Sequence, residues 1–561
     1  MSDWRFRPSL QACMEGVSVR RITPVLVGAL VLGCLTAGPA AAATERVVVQ
    51  AGSSTAAAAA VTRAGGRVLS VLPIVDGVVA EVPIGAPVDG VVTPDAALHP
   101  MSTDGLPAAP VSSVYREETG ATGLPPATRA PVTVAVLDTG ISKVGGLGAK
   151  LVQVPDPLTG QPADCANFSH ETDCNDSYGH GTFLAGLIAG GGTFPGMAPQ
   201  ARLVSLKIAG RDGAADVSQV LAAIQYAVSF KDQLGIDVLN LSLGTDSNHD
   251  SRRDPLNRAV ERAWRAGIVV VVAASNRGPA AGTISKPADD PLVITVGAVD
   301  DRGTPQRGDD TVPAFTGRGP VVQGPSGDQV TVYKPDVVAP GVGLVSLISP
   351  NSNIEQSAPP STVGVPGYRR GSGTSQATAV VSGAVALLLE RRDLNPDEVK
   401  AALWLGAHRV ADSSYSQTGA GVIDVSGSLG RGVQGFRQPD PEQRDFDGLS
   451  LSRAATQVTG VGCGVLDARR SYDATCDHVV NEQTALGVDR LAGDMLLGFD
   501  GTDYAGSEWT GNSWYTSQWA QGNSWYGNSW YGNSWYSTDS GGQQTSLGSS
   551  LEGSAWYGVW K

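Results

Sequence analysis

Cysteine is scarce, with six in 561 residues. Cys13 and Cys34 lie in an N-terminal stretch, and the others form two close pairs, Cys165 with Cys174 and Cys463 with Cys476. No C-x-x-C occurs, and the one histidine near a pair is His170, so no metal set is expected. In an exported chain this spacing suggests two local disulfides. Basic charge is also lacking: the net charge is −14, with no basic stripe, which argues against nucleic acid or an anionic membrane as the main partner. Long apolar runs are missing as well. Ile22 to Leu35 is mostly apolar but short for a membrane span. Aromatics make up 6% of the chain and are distributed unevenly: eight of the eleven tryptophans fall between Trp509 and Trp560, where a core is least expected.

What is present has a clear order. Arg20 and Arg21, the apolar run and Ala40 to Ala43 read as a signal peptide over 1–43, with cleavage after Ala43. A retained membrane anchor and lipidation at Cys34 are the alternatives. Arg46 to Gln50 reads as a strand, Ser54 to Ala64 as a helix capped by Ser54, and Arg67 to Pro83 as a hairpin around Val75-Asp-Gly77. A Pro/Ala/Thr-rich stretch, Leu106 to Pro131, reads as an exposed linker. From Val132 to about Leu429, β-branched runs alternate with helices, which predicts an α/β fold: a mostly parallel sheet with helices on both faces. Arg437 to Asp447 reads as a linker, followed by a small accessory region to 505. Gly-Asn-Ser-Trp-Tyr then occurs four times between 511 and 536, giving a low-complexity C-terminal extension over 506–561 read as a chain of turns.

Three short glycine-containing segments carry the chemistry. They are Val134-Ala-Val-Leu-Asp138-Thr-Gly140, Gly179-His180-Gly-Thr182 and Gly373-Thr-Ser375-Gln-Ala377. Asp138 ends an apolar strand, where functional groups gather in open α/β sheets. His180 alone among the six histidines stands between glycines. Ser375 opens an apolar helix, which exposes its Oγ and leaves its own N–H free to bind an oxyanion. Acid, base and nucleophile together are what acyl transfer from an amide requires.

These motifs, in the order Asp, His, Ser, resemble those of the subtilisin-like serine proteases, the subtilases of peptidase family S8. The resemblance implies a secreted serine endopeptidase working through an acyl-enzyme. It assigns Asn276, at the end of Val269 to Asn276, to the oxyanion hole with the Ser375 N–H. It assigns Ser242, Leu243, Gly244, Ala274 and Ser275 to substrate binding. Phe183, Gln376 and Ala379 depart from the usual family residues, and none of them is a reacting group. The N-terminal strand, helix and hairpin resemble an inhibitory propeptide, so 44–115 reads as propeptide-like domain and linker and 116–430 as the catalytic domain. Such tryptophan-rich tails resemble those of some secreted bacterial subtilases. No cofactor is required by this chemistry. Calcium could be taken up by the carboxylate-rich stretch Asp246 to Asp254, although a solvated loop suits it as well. The expected partners are protein or peptide substrates, the chain's own propeptide as inhibitor and, through the tail, cell-wall carbohydrate. A surface-binding protein on the same scaffold, or a processing protease with a narrow substrate, are the alternatives.

Overall fold

The computed structural model describes residues 43–100, 113–245, 251–323, 330–357, 363–438, 536–538 and 544–546. The signal reading for 1–42, Cys463 and Cys476, and the repeats up to Trp535 lie outside the described residues. Of the tail, Tyr536–Thr538 and Gln544–Ser546 pair as antiparallel strands.

An N-terminal unit comes first: β1 (Thr44–Gln50), α1 (Ser54–Arg63), β2 (Arg67–Leu72), β3 (Gly77–Pro83) and β4 (Val91–Pro94). The strands form one antiparallel sheet in the order β2–β3–β1–β4. Strand periodicity decides how it packs. Val47 and Val49 face Ala57 and Val61 of α1, whereas Val48 points the other way and joins the main core of the chain. Ser53 rather than Ser54 caps α1, its Oγ accepting from the Ala56 N–H at 3.1 Å. A short strand β5 (Ala97–Pro100) follows.

The linker reading of 106–131 is corrected in part. Residues 115–121 pack onto the main body: α2 (Tyr115–Glu118) buries Tyr115, whose hydroxyl donates to the Pro195 carbonyl at 2.9 Å, and Ala121 also enters the core. A single aromatic anchor outweighs the polar composition around it. Residues 122–130 are largely exposed.

The main body is built from β6 (Thr133–Asp138), β7 (Ala166–Asn167), α3 (His180–Ala189), β8 (Arg202–Lys207), β9 (Ala215–Asp216), α4 (Val217–Ser229), β10 (Ile236–Leu241), β11 (Leu243–Gly244), α5 (Pro255–Arg265), β12 (Val269–Ala273), β13 (Ile294–Val299), β14 (Val337–Pro340), α6 (Thr374–Leu389) and α7 (Pro396–Gly406). Seven of these strands form one sheet in the order β14–β13–β12–β10–β6–β8–β7, and every pairing in it is parallel. The β6 strand is buried along its whole length, as a strand covered on both faces must be. Because β6 is the first of the seven in the chain and its successors add on both sides, a topological switch lies between β6 and β10. Such a crevice at the carboxyl ends of the strands is where open α/β sheets place their sites.

Apart from Gln376, helix α6 carries only apolar or small side chains, and it is buried throughout nearly all of its length. It packs against α3 and across β10, β12 and β13. Helices α4 and α5 form a second pair. The N-terminal unit docks on it through Asp76, which meets Arg258 at 2.6 Å and also Arg262, and through the Ile74 N–H to Gln225 Oε1 at 3.2 Å. Asn395 caps α7 in a reciprocal arrangement with Glu398, with Pro396 in the first turn.

Candidate active site

Asp138 is the last residue of β6, Ser242 follows β10 and Asn276 lies just beyond β12, so three strands deliver side chains to the same edge. His180 and Ser375 come from the first turns of α3 and α6, two helices packed on each other. His180 Nδ1 lies 2.8 Å from Asp138 Oδ1 and 3.0 Å from Oδ2. Both residues are buried, so water competes little for that hydrogen bond. With Nδ1–H donating to the carboxylate, the imidazole presents Nε2 as a base.

Ser375 Oγ donates to the Ser242 carbonyl at 3.2 Å, and Ser242 Oγ reaches the Ser375 carbonyl at 3.4 Å. The nucleophile candidate is thereby tied to the strand segment Ser242 to Gly244. Asn276 is oriented by Thr374: the Thr374 N–H and hydroxyl both donate to Asn276 Oδ1 at 2.9 Å. That fixes which end of the amide is which. Asn276 Nδ2 is buried with no hydrogen-bond partner among the described residues. An amide donor held beside a serine N–H at a helix N-terminus suits an oxyanion.

A second carboxylate supports the first. Asp176 Oδ1 accepts from the Gly179 N–H at 2.6 Å and from Thr139 Oγ1 at 2.7 Å, and its Oδ2 accepts from the Thr182 N–H at 2.7 Å. Burial raises the Asp176 carboxyl above its usual range despite those donors. Thr139 completes the link, donating its N–H to Asp138 Oδ1 at 2.8 Å and accepting from the Gly181 N–H at 2.9 Å. Asp176 thus caps the helix that carries His180 and connects it to the strand that carries Asp138. Sequence reasoning missed Asp176 and Thr374. The signal available for Asp176 was an acidic residue just ahead of a glycine-led helix. The glycines around His180 are required by space: Gly179 has φ 110°, and a Cβ on Gly181 would sit 2.2 Å from the Gly140 carbonyl oxygen.

Of the pocket residues, Ser275 holds a positive φ of 142° and bonds through Oγ to the Thr283 carbonyl. The Ala274 N–H donates to the Val296 carbonyl at 2.9 Å. Cys165 and Cys174 form a disulfide. For the calcium reading, residues 246–250 lie outside the described residues, and the Asp254 carboxylate caps α5 through the Leu256 N–H at 2.9 Å. Among the described residues no group of three or more His, Cys, Asp or Glu could hold a metal ion.

A carboxylate-held histidine and a helix-borne serine, gathered at the carboxyl edge of a parallel sheet, define a serine hydrolase. Residues 129–428 match the subtilase family, peptidase family S8, and the chain belongs to that family. It is 38% identical over 310 residues to the serine protease AprX of Bacillus subtilis (strain 168), covering 53% of this chain and 66% of that protein. It is 33% identical over 305 residues to the membrane-bound transcription factor site-1 protease of Rattus norvegicus, covering 53% of this chain and 25% of that one. Subtilisin DY of Bacillus licheniformis is 31% identical over 302 residues, covering 53% of this chain and 90% of that protein. The chain thus spans 66% and 25% of the lengths of AprX and the site-1 protease. Fervidolysin from Fervidobacterium pennivorans shares the fold, with a TM-score of 0.52 at 22% identity, covering 70% of this chain and 62% of that one.

Proposed function

We propose that the chain is an exported serine endopeptidase, with Asp138, His180 and Ser375 as its catalytic residues and Asn276 in the oxyanion hole. The observation that carries this is the buried His180–Asp138 pair at 2.8 Å, on a helix packed against the one that presents Ser375. Ser375 Oγ attacks the peptide carbonyl while His180 takes its proton. The oxyanion is held by the Ser375 N–H and Asn276 Nδ2. His180 then protonates the leaving amine, and water hydrolyses the acyl-enzyme by the same route in reverse. Asp138 keeps His180 in the required tautomer and stabilises the imidazolium. Ser242 to Gly244, Ala274 and Ser275 line the substrate path, and an extended peptide pairs with the first of these segments as an added strand.

The N-terminal unit acts as propeptide and inhibitor in this reading, because β5 already pairs with Leu243–Gly244. The proposed export rests on residues 1–43. The tail's aromatic faces suit sugar rings, so cell-wall carbohydrate is its proposed partner. The test is fluorophosphonate labelling of the expressed wild-type chain beside Ser375→Ala, with intact masses recorded. Label on the wild type alone, accompanied by loss of its N-terminal region, is the expected result. A folded, processed wild type that takes no label would move the weight to a binding protein on this scaffold.

A further inference from the structure

Lys207, the last residue of β8, is fully buried although its side chain ends in an ammonium. It pairs in register with Asp138 of β6, so the two side chains leave the same face of the sheet. A Cβ placed on Gly140 would lie 3.3 Å from Lys207 Cδ, so the lysine stem runs along the Asp138–Gly140 turn. A buried ammonium needs partners. Lys207 Nζ has the Glu171 carboxylate, 2.7 Å from Oε2, and the Asn175 carbonyl. Glu171 stands in a loop closed by the Cys165–Cys174 disulfide, and its own carbonyl accepts from Asn167 Nδ2 at 2.7 Å. Its carboxylate reaches two further segments: Ser177 Oγ donates to Oε2 at 2.7 Å, and the Arg211 N–H donates to Oε1 at 2.9 Å. Burial pushes the Glu171 carboxyl up, but Lys207, Ser177 and the Arg211 N–H outweigh it and hold the group below its ordinary range.

These partners converge on the site from two sides. Asn175 and Ser177 are the chain neighbours of Asp176, which caps the helix that carries His180. The Glu171–Lys207 pair therefore grips the loop immediately before and after Asp176. Arg211 opens the stretch that leads to β9, where Gly213 lies so close to Tyr178 that a Cβ would come 2.7 Å from the ring. Gly213 and Ala215 of that stretch line the cavity beside Asp138. We propose that Glu171 is a positioning residue of the reaction. With Lys207 it fixes the loop through which Asp176 seats His180, ties that loop to the wall of the cleft, and balances the ammonium next to the Asp138 turn. This rests on the protease reading above, with His180 as the base. The other ionisable groups on the segments that meet here are His170, Asp173 and Asp176 of the loop, Asp138 and His180 of the site, and Arg211 and Asp212 of the wall. They are common to every variant below, so a change in the pH profile reports the Glu171–Lys207 pair.

The experiment compares the wild type, Glu171→Gln and the neutral double variant Glu171→Gln/Lys207→Met. Each is expressed as the full chain and allowed to process itself, with fluorophosphonate counting the active sites. Values of kcat and KM on a peptide amide are then recorded across the acid limb of the profile. Glu171→Gln is expected to lower kcat/KM about tenfold, through a lower kcat and a higher KM together, because it loosens both the His180 loop and the cleft wall. Its uncompensated ammonium disfavours the imidazolium, so the acid limb is expected about half a pH unit lower. In the double variant the limb is expected to return to its wild-type position while the rate stays low. A Glu171→Gln enzyme with wild-type kcat/KM and limb would overturn the proposal. So would a loss of rate with the limb unmoved, which would make Glu171 a structural residue alone. Should Glu171→Gln not fold, the double variant, which strands no charge, carries the test, and a wild-type rate there would overturn the proposal. A folded wild type that takes no label would instead overturn the protease reading.

Discussion

At the residue scale, Asn276 offers the sharpest test, since among the described residues only its carbonyl end is occupied. Asn276→Ala is expected to lower kcat by about 10²–10³, the size measured for such a donor in subtilisin, with KM little changed. A loss confined to KM would make Asn276 a substrate-binding or structural residue instead. Asp138, His180 and Ser375 were legible as candidates because each stands in a local signature that the proposed chemistry needs. Asp176, Thr139 and Thr374 form a supporting layer that becomes visible only when segments far apart in sequence meet. Thr374, for example, orients Asn276 across 98 positions of sequence.

At the scale of elements, the contact between β1, β4 and the start of α4 carries a pH dependence. Arg46 lies 2.8 Å from Asp95 and 3.6 Å from Asp216, with Asp212 nearby and the Ser218 hydroxyl on Asp95. Burial raises the Asp95 carboxyl, and burial with the neighbouring Asp95 charge raises Asp216 from 3.8 to about 6. Both groups hold protons more tightly docked than free. Their contribution to docking is therefore full below pH about 4 and fades as pH rises through about 6. In the full-length Ser375→Ala chain, amide exchange in residues 44–94, corrected for intrinsic rates, is expected to be faster at pH 7.5 than at pH 5. Asp95→Asn is expected to flatten that difference, and a profile unchanged between the two pH values would count against the assignment. Elements of this size differ in how well the sequence reports them. The apolar runs of β6 and β12 and the capped start of α7 are strong local signals. The four residues of β5 carry no such signal, because its pairing partners lie more than a hundred residues further along the chain.

For the whole molecule, a buried ionic cluster ties α7 to the edge of the sheet. Asp336 lies 2.6 Å from Lys334 and 3.3 Å from Lys400, and also accepts from the Thr295 N–H at 2.7 Å. Lys400 donates to the Pro291, Leu292 and Val293 carbonyls, and burial lowers its ammonium to about 7. Asp336→Asn would strand two buried ammonium groups. It is expected to destabilise the fold by about 3–5 kcal/mol, read as a lower denaturant midpoint in the Ser375→Ala background, where self-digestion cannot interfere. A midpoint unchanged by the substitution would mean that the cluster relaxes into water.

The sequence by itself determined the fold class, the three side chains proposed to react and the strand–helix–hairpin character of the N-terminal unit. Apolar periodicity and glycine-bounded motifs are local properties, readable over a few residues. Only the tertiary structure decided that Asp176 braces the His180 helix and that residues 115–121 belong to the core. It alone brings Leu98 into the core with Pro100 opposite Leu243. Each of these depends on which strands lie side by side, and that order follows from burying both faces of the sheet at once.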